Sequence, residues 1–139
     1  MKKIKREQRE QLENGFLDID QTNWLKEHGK LNFSTKPEVY FIAKNNYKLN
    51  YVGKLYKPQK DDLPAISVLD LLNIIPYKIF KRGDRNKEDP FWLTFTKLEN
   101  KFAITYINSE NLCWIDHDSS YLRNVLFYTI TDLIKNNLI

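Results

Sequence analysis

The segment Cys113-Trp114-Ile115-Asp116-His117-Asp118 brings a thiol, an imidazole and two carboxylates together, the groups from which metal sites and Cys/His nucleophiles are built. Its spacing matches no established zinc pattern, which needs about four convergent ligands. Along a strand Cys113 faces away from Trp114, and Asp118 is wanted as the cap of the helix that follows. Nucleophilic chemistry at Cys113 requires His117 within hydrogen-bond reach and something to lower the thiol pKa. An enzyme or metal site at Asp116, His117 and Cys113 is therefore the third of three functional readings. His28 stands alone at a helix end, where an imidazolium meets the helix dipole favourably. Gly15, Gly29, Gly53 and Gly83 are too dispersed for a phosphate-cradling loop, which disfavours nucleotide hydrolysis and leaves no cofactor to expect. Arg82-Gly83-Asp84 reads as a turn. In and beside it Lys81, Arg82, Arg85 and Lys87 offer secondary phosphate contacts, diluted by Glu88 and Asp89.

A second constellation is electrostatic. The net charge is +4, but residues 1–60 carry 13 Lys and Arg against 7 Asp and Glu, while residues 61–139 carry 9 against 11. An anionic partner would meet the first half. There the run Val39-Tyr40-Phe41-Ile42-Ala43 has strand character, and Asn45-Asn46 supplies residues that tolerate positive φ for a hairpin turn. On the returning strand Tyr47, Leu49, Tyr51, Gly53 and Leu55 alternate with Lys48, Asn50, Val52, Lys54 and Tyr56. The candidate binding surface is the face with Lys44, Lys48, Asn50, Lys54 and Tyr56, continuing to Lys57 and Lys60. Basic residues interleaved with an aromatic can follow a phosphate backbone and stack a base. The same lysines also suit an edge strand that must avoid aggregation.

The elements that position these residues are punctuated most sharply between Leu63 and Pro76. Ser67 is placed to cap a helix with Asp70 reaching back, Ile66 and Leu71 form a hydrophobic staple, and Pro76 ends the helix. Val68, Leu69, Leu71, Leu72, Ile74 and Ile75 leave only Asp70 and Asn73 polar, which predicts a buried central helix. Upstream, residues 2–14 read as a charged helical arm stopped at Gly15. Asp20 is expected to cap a short helix through Trp24 and Leu25, ending near Gly29. Pro58–Pro64 is the connector. Downstream, Tyr77–Lys81, Phe91–Thr96, Phe102–Ile107 and Leu112–Ile115 read as an antiparallel meander. A last helix, capped by Asp118 or Ser119, carries Tyr121, Leu122, Val125, Leu126, Ile130, Leu133 and Ile134 at helical spacing and stops at Asn136-Asn137.

These elements predict an α+β fold: a single domain over residues 1–139, mainly antiparallel sheet, with a buried central helix and a C-terminal helix packed on the sheet. Within it, residues 1–60 form the basic helical arm and β-hairpin, and residues 61–139 the helix, meander and helix. No apolar run approaches the roughly 20 residues of a membrane span, so no membrane partner is expected. The charged start lacks the apolar segment of a secretion signal, and the single Cys113 fits a reducing cytoplasm.

From Pro64 to Ile139 the layout resembles short uncharacterised proteins of phages and bacterial mobile elements. The matching features are the capped, leucine-rich helix Ser67–Pro76, the aromatic-rich meander, and the final helix from Ser119-Ser120-Tyr121-Leu122 through Asp132-Leu133-Ile134-Lys135-Asn136-Asn137-Leu138-Ile139. The resemblance implies no activity and carries over no functional residue. Together these readings predict a non-catalytic binding protein that docks onto a protein partner such as a host factor. The alternative is nucleic-acid binding through the basic hairpin Lys44 to Lys60, followed by the Asp116, His117, Cys113 site.

Overall fold

The computed structural model describes residues 15–29, 37–81 and 89–139. The expected arm over residues 2–14 and the Arg82–Glu88 loop lie outside them. The fold is α+β, with two antiparallel sheets, and the chain separates into two compact units, residues 1–67 and 68–139.

In the first unit, helix α1 (Ile19–His28) starts two residues earlier than the sequence suggests. Asp18 rather than Asp20 is its N-cap: Asp18 Oδ1 accepts from Gln21 N at 2.8 Å, and Gln21 Oε1 accepts from Asp18 N at 3.1 Å. A reciprocal box needs a side chain at the third helical position that can reach back, and Gln21 supplies it for Asp18. Gly29 ends the helix as expected, its amide donating to Leu25 O. Strands β1 (Val39–Ile42), β2 (Lys48–Tyr51) and β3 (Leu63–Pro64) form a sheet in the order β2-β1-β3. β1 is buried along its whole length. Its Val39 and Phe41 join Leu63 and Ala65, with Phe16, Ile19 and Leu49 packed against them. The turn after β1 places Asn46 at φ 58° and Tyr47 at φ 57°, so the Asn pair does provide the left-handed residue the hairpin needs.

The second unit opens with α2 (Val68–Ile74), directly after Ser67. Leu71 and Ile75 are buried, whereas Leu69 and Leu72 are exposed, so this helix is covered along one side rather than around most of its circumference. Strands β4 (Lys78–Ile79), β5 (Phe91–Lys97), β6 (Phe102–Ile107) and β7 (Cys113–Ser119) form the expected meander in sequence order. Helix α3 (Leu122–Lys135) packs on β6 and β7. Its Val125, Leu126, Thr129, Ile130 and Leu133 are buried, as are Ile104, Tyr106 and Ile115 of the sheet. Burial of side chains of this size stabilises by about 1.5–3 kcal/mol each. Tyr106 keeps its one polar atom satisfied by donating to Pro76 O at 2.6 Å.

Two expectations at the ends of α3 fare differently. Neither Asp118 nor Ser119 is the N-cap: β7 runs through both, pairing them with Ala103 and Phe102, and Tyr121 occupies the cap position. Ser119 Oγ instead accepts from Tyr121 N at 3.2 Å. The C-terminus stops at the Asn pair. Asn137 takes φ 56°, its amide donates to Ile134 O and the Leu138 amide to Leu133 O, which is a Schellman closure with Asn in the left-handed position.

Candidate functional site

The basic surface is built on the turn after β1, on β2 and on the loop to β3. Lys44 lies in the 3-10 turn Ala43–Asn45 and Lys48 opens β2; both are exposed. The regular alternation stops sooner than the sequence suggests. β2 ends at Tyr51, the Val52 and Gly53 amides both donate to Glu38 O, and Gly53 takes φ 80°. This left-handed glycine turns the chain out of the strand, so Lys54, Tyr56, Lys57 and Lys60 belong to a loop, not to a continued hairpin face. Lys54, Lys57 and Lys60 are exposed. Asn50 is half-buried and donates to Lys48 O at 2.9 Å.

Tyr56 departs furthest from the expected role. Its ring lies 5.5 Å from that of buried Tyr40, and its hydroxyl donates to Asp62 Oδ2. Asp62 is only 8% exposed. Its Oδ2 also accepts from Gln59 N at 2.8 Å, and its Oδ1 accepts from Ala43 N at 3.0 Å. The Tyr56 hydrogen bond, followed by the Gln59 and Ala43 amides and the nearby Lys44, holds this carboxyl below the usual carboxylate range against the opposing effect of burial. The same bond to Asp62 pushes the Tyr56 phenol up. Nothing local in the sequence marks Asp62 out from Asp61, because one of its donors lies nineteen residues away.

On β7, Asp116, His117 and Asp118 sit in a strand rather than in a turn. The register sets Cys113 opposite Ile107 and His117 opposite Ile104, with an irregularity at Trp114. Ile104 faces the helix-covered core, whereas Ile107 pairs with exposed Trp92 on the other face. Cys113 and His117 are therefore on opposite faces of the sheet. His117 Nε2 is in contact with Asp132 Oδ2 of α3, Asp118 pairs with Lys101 at 2.8 Å, and Asp116 accepts from the Thr105 hydroxyl at 3.1 Å. Partial desolvation by its neighbours and then the Asp116 charge push the Cys113 thiol up, which is the direction away from an activated nucleophile. Among the described residues, no group of three or more His, Cys, Asp or Glu side chains could hold a metal ion, and no helix is long and apolar enough to cross a membrane.

Other features have no counterpart in the sequence reading. On the face of the second sheet opposite α3, Tyr77 and Trp92 are exposed with ring centroids 6.2 Å apart. Lys78 Nζ lies 5.4 Å from the Trp92 ring, a cation–π distance. Lys81, the described part of the secondary basic loop, lies over Phe91 and Trp114. A pocket of about 150 Å³ in the first unit is lined by Thr22, Leu25, Lys26, Gly29, Leu63, Pro64 and Ile66, small beside the roughly 300–1,000 Å³ of typical ligand sites. Compared with protein-family models, curated proteins and solved structures, the chain matches none.

Proposed function

We propose that this chain is a non-catalytic binding protein that docks on a protein partner through the basic surface of its first unit, at Lys44, Lys48, Lys54, Lys57 and Lys60. The inward turn of Tyr56 carries the preference for protein over nucleic acid. A single-strand binder sets aromatic faces beside its phosphate contacts, but this aromatic is committed to Tyr40 and Asp62. Tyr51, the nearest exposed ring on β2, donates to the Glu38 carboxylate at 2.7 Å, and that carboxylate repels phosphate. A protein surface asks only for complementary charge and shape. The phage-type layout suggests a host factor as the partner, and the single exposed thiol suits a reducing cytoplasm.

The test is fluorescence anisotropy with short single- and double-stranded DNA and RNA at low and near-physiological salt. It is run beside affinity capture from host-cell extract with the wild type and the K48E/K54E variant, after circular dichroism has shown that the variant is folded. The expected result is nuclease-resistant capture that charge reversal removes, with nucleic-acid binding that disappears as salt rises. Submicromolar nucleic-acid binding that survives physiological salt and is lost in K48E/K54E would overturn the protein reading. So would capture that is indifferent to the reversal.

A further inference from the structure

The loop between β2 and β3 holds one apolar side chain out into solvent. Asp62 gathers the Tyr56 hydroxyl, the Gln59 amide and the Ala43 amide on its two oxygens, and its own amide donates back to Gln59 O at 3.1 Å. These bonds tie the loop to itself and to the end of β1. With Tyr56 drawn inward, its neighbour Leu55 is left 95% exposed, more than any other large hydrophobic residue among those described. A single apolar residue on a surface ordinarily needs no explanation. This one differs in being displayed by a loop whose backbone is already fixed, and in being flanked by the exposed lysines Lys54, Lys57 and Lys60. Between residues 43 and 62 the only exposed acid is Asp61.

Resting on the docking reading above, we infer that this loop is a preformed anchor for an acidic segment of a partner protein. Carboxylates of that segment meet Lys54, Lys57 and Lys60, and one of its apolar side chains covers Leu55. The lysines specify the acid by charge complementarity. Leu55 specifies the apolar side chain, because burying it adds affinity that a phosphate backbone cannot supply. Holding the loop in its binding conformation beforehand removes ordering costs from association. The two contributions separate by salt, since screening weakens the lysine contacts and leaves apolar burial in place.

The experiment measures the anisotropy of three labelled probes on the full chain: polyglutamate, a peptide of the same length alternating glutamate with leucine, and a single-stranded DNA oligonucleotide. Each is titrated with the wild type, with L55S and with K54E/K57E/K60E. The glutamate–leucine peptide is expected to bind about tenfold or more tightly than polyglutamate, the scale of burying one leucine. L55S closes that gap while leaving thermal unfolding unchanged, because the substituted side chain is solvent-exposed. The triple reversal removes binding of both peptides. Equal affinity for the two peptides, or a gap that L55S does not change, overturns the anchor and leaves lysine-mediated docking standing. Binding of DNA more tightly than of either peptide, or no binding of either peptide, overturns the anchor and the protein-docking reading together.

Discussion

Asp62 in the first unit and Asp118 in the second are both carboxylates held below their usual pKa, by different means. Asp62 is nearly buried and accepts from Tyr56 and Gln59 of its own loop and from Ala43 at the end of β1. Asp118 is well exposed on β7 and is lowered by the hydrogen bond and charge of Lys101. The first arrangement fixes a loop. The second adds a surface ion pair, of the kind that contributes little because solvent screens it and two long side chains must be ordered. Charge state is thus a poor guide to structural weight; the number of backbone donors and their separation along the chain are a better one.

Replacing Asp62 tests this contrast most directly. Asp62→Ala strands the Gln59 and Ala43 amides and the Tyr56 hydroxyl; it is expected to lower Tm by on the order of 5 °C and to speed tryptic cleavage after Lys54 and Lys60. A loop that stays protease-resistant in Asp62→Ala would break the comparison.

Acid titration provides a related check. Because the folded pKa of Asp62 lies below its unfolded value, its contribution is complete above the ordinary carboxylate pKa of about 3.9 and is lost as pH falls through the depressed folded value. Acid unfolding followed by circular dichroism should therefore show no loss from Asp62 at pH 5 and a loss only once pH falls below the ordinary carboxylate range, whereas Asp62→Asn should show a flatter acid limb.

Two tyrosine hydroxyls sharpen the comparison between the units. Tyr106→Phe leaves the Pro76 carbonyl without its donor beside a fully buried ring, and should cost about 1–2 kcal/mol in denaturant unfolding. Tyr56→Phe keeps the ring on Tyr40 and leaves the two amides on Asp62, so a Tm change of about 2 °C is expected, less than for Asp62→Ala. The smallest effect belongs to Asp118→Ala, within about 1 °C of the wild type. A drop matching that of Asp62→Ala would show that the Lys101 pair has been undervalued.

Much of the architecture was legible because its signals are local. Pro76 follows the end of α2, Asn46 and Asn137 take left-handed conformations where a turn and a helix end require them, and the alternation in β6 sorts buried Ile104 and Tyr106 from their neighbours, whereas in β5 it holds at Phe91 and fails at exposed Phe95. The errors arose where two local signals competed. Asp18 and Asp20 are both acceptable caps, and the partner at Gln21 decides between them. Asp118 is an acceptable cap too, until pairing with Ala103 keeps it in β7. The candidate site was legible in its lysines, whose type and density fix the sign of the surface, but not in the roles of Tyr56 and Leu55. Simple alternation assigned those two to faces, and Gly53 ended the alternation before either was reached.

The sequence by itself determined the order of elements, the antiparallel meander, the stripe of α3 and the basic character of the first unit, because each depends on residues a few positions apart. Tertiary structure alone decided that Asp62 receives the Ala43 amide, that His117 meets Asp132, and that Tyr106 reaches Pro76, contacts spanning nineteen, fifteen and thirty residues. Such pairings have no periodic signature. They exist only once packing has brought distant backbone and side-chain groups out of water and required each to find a partner.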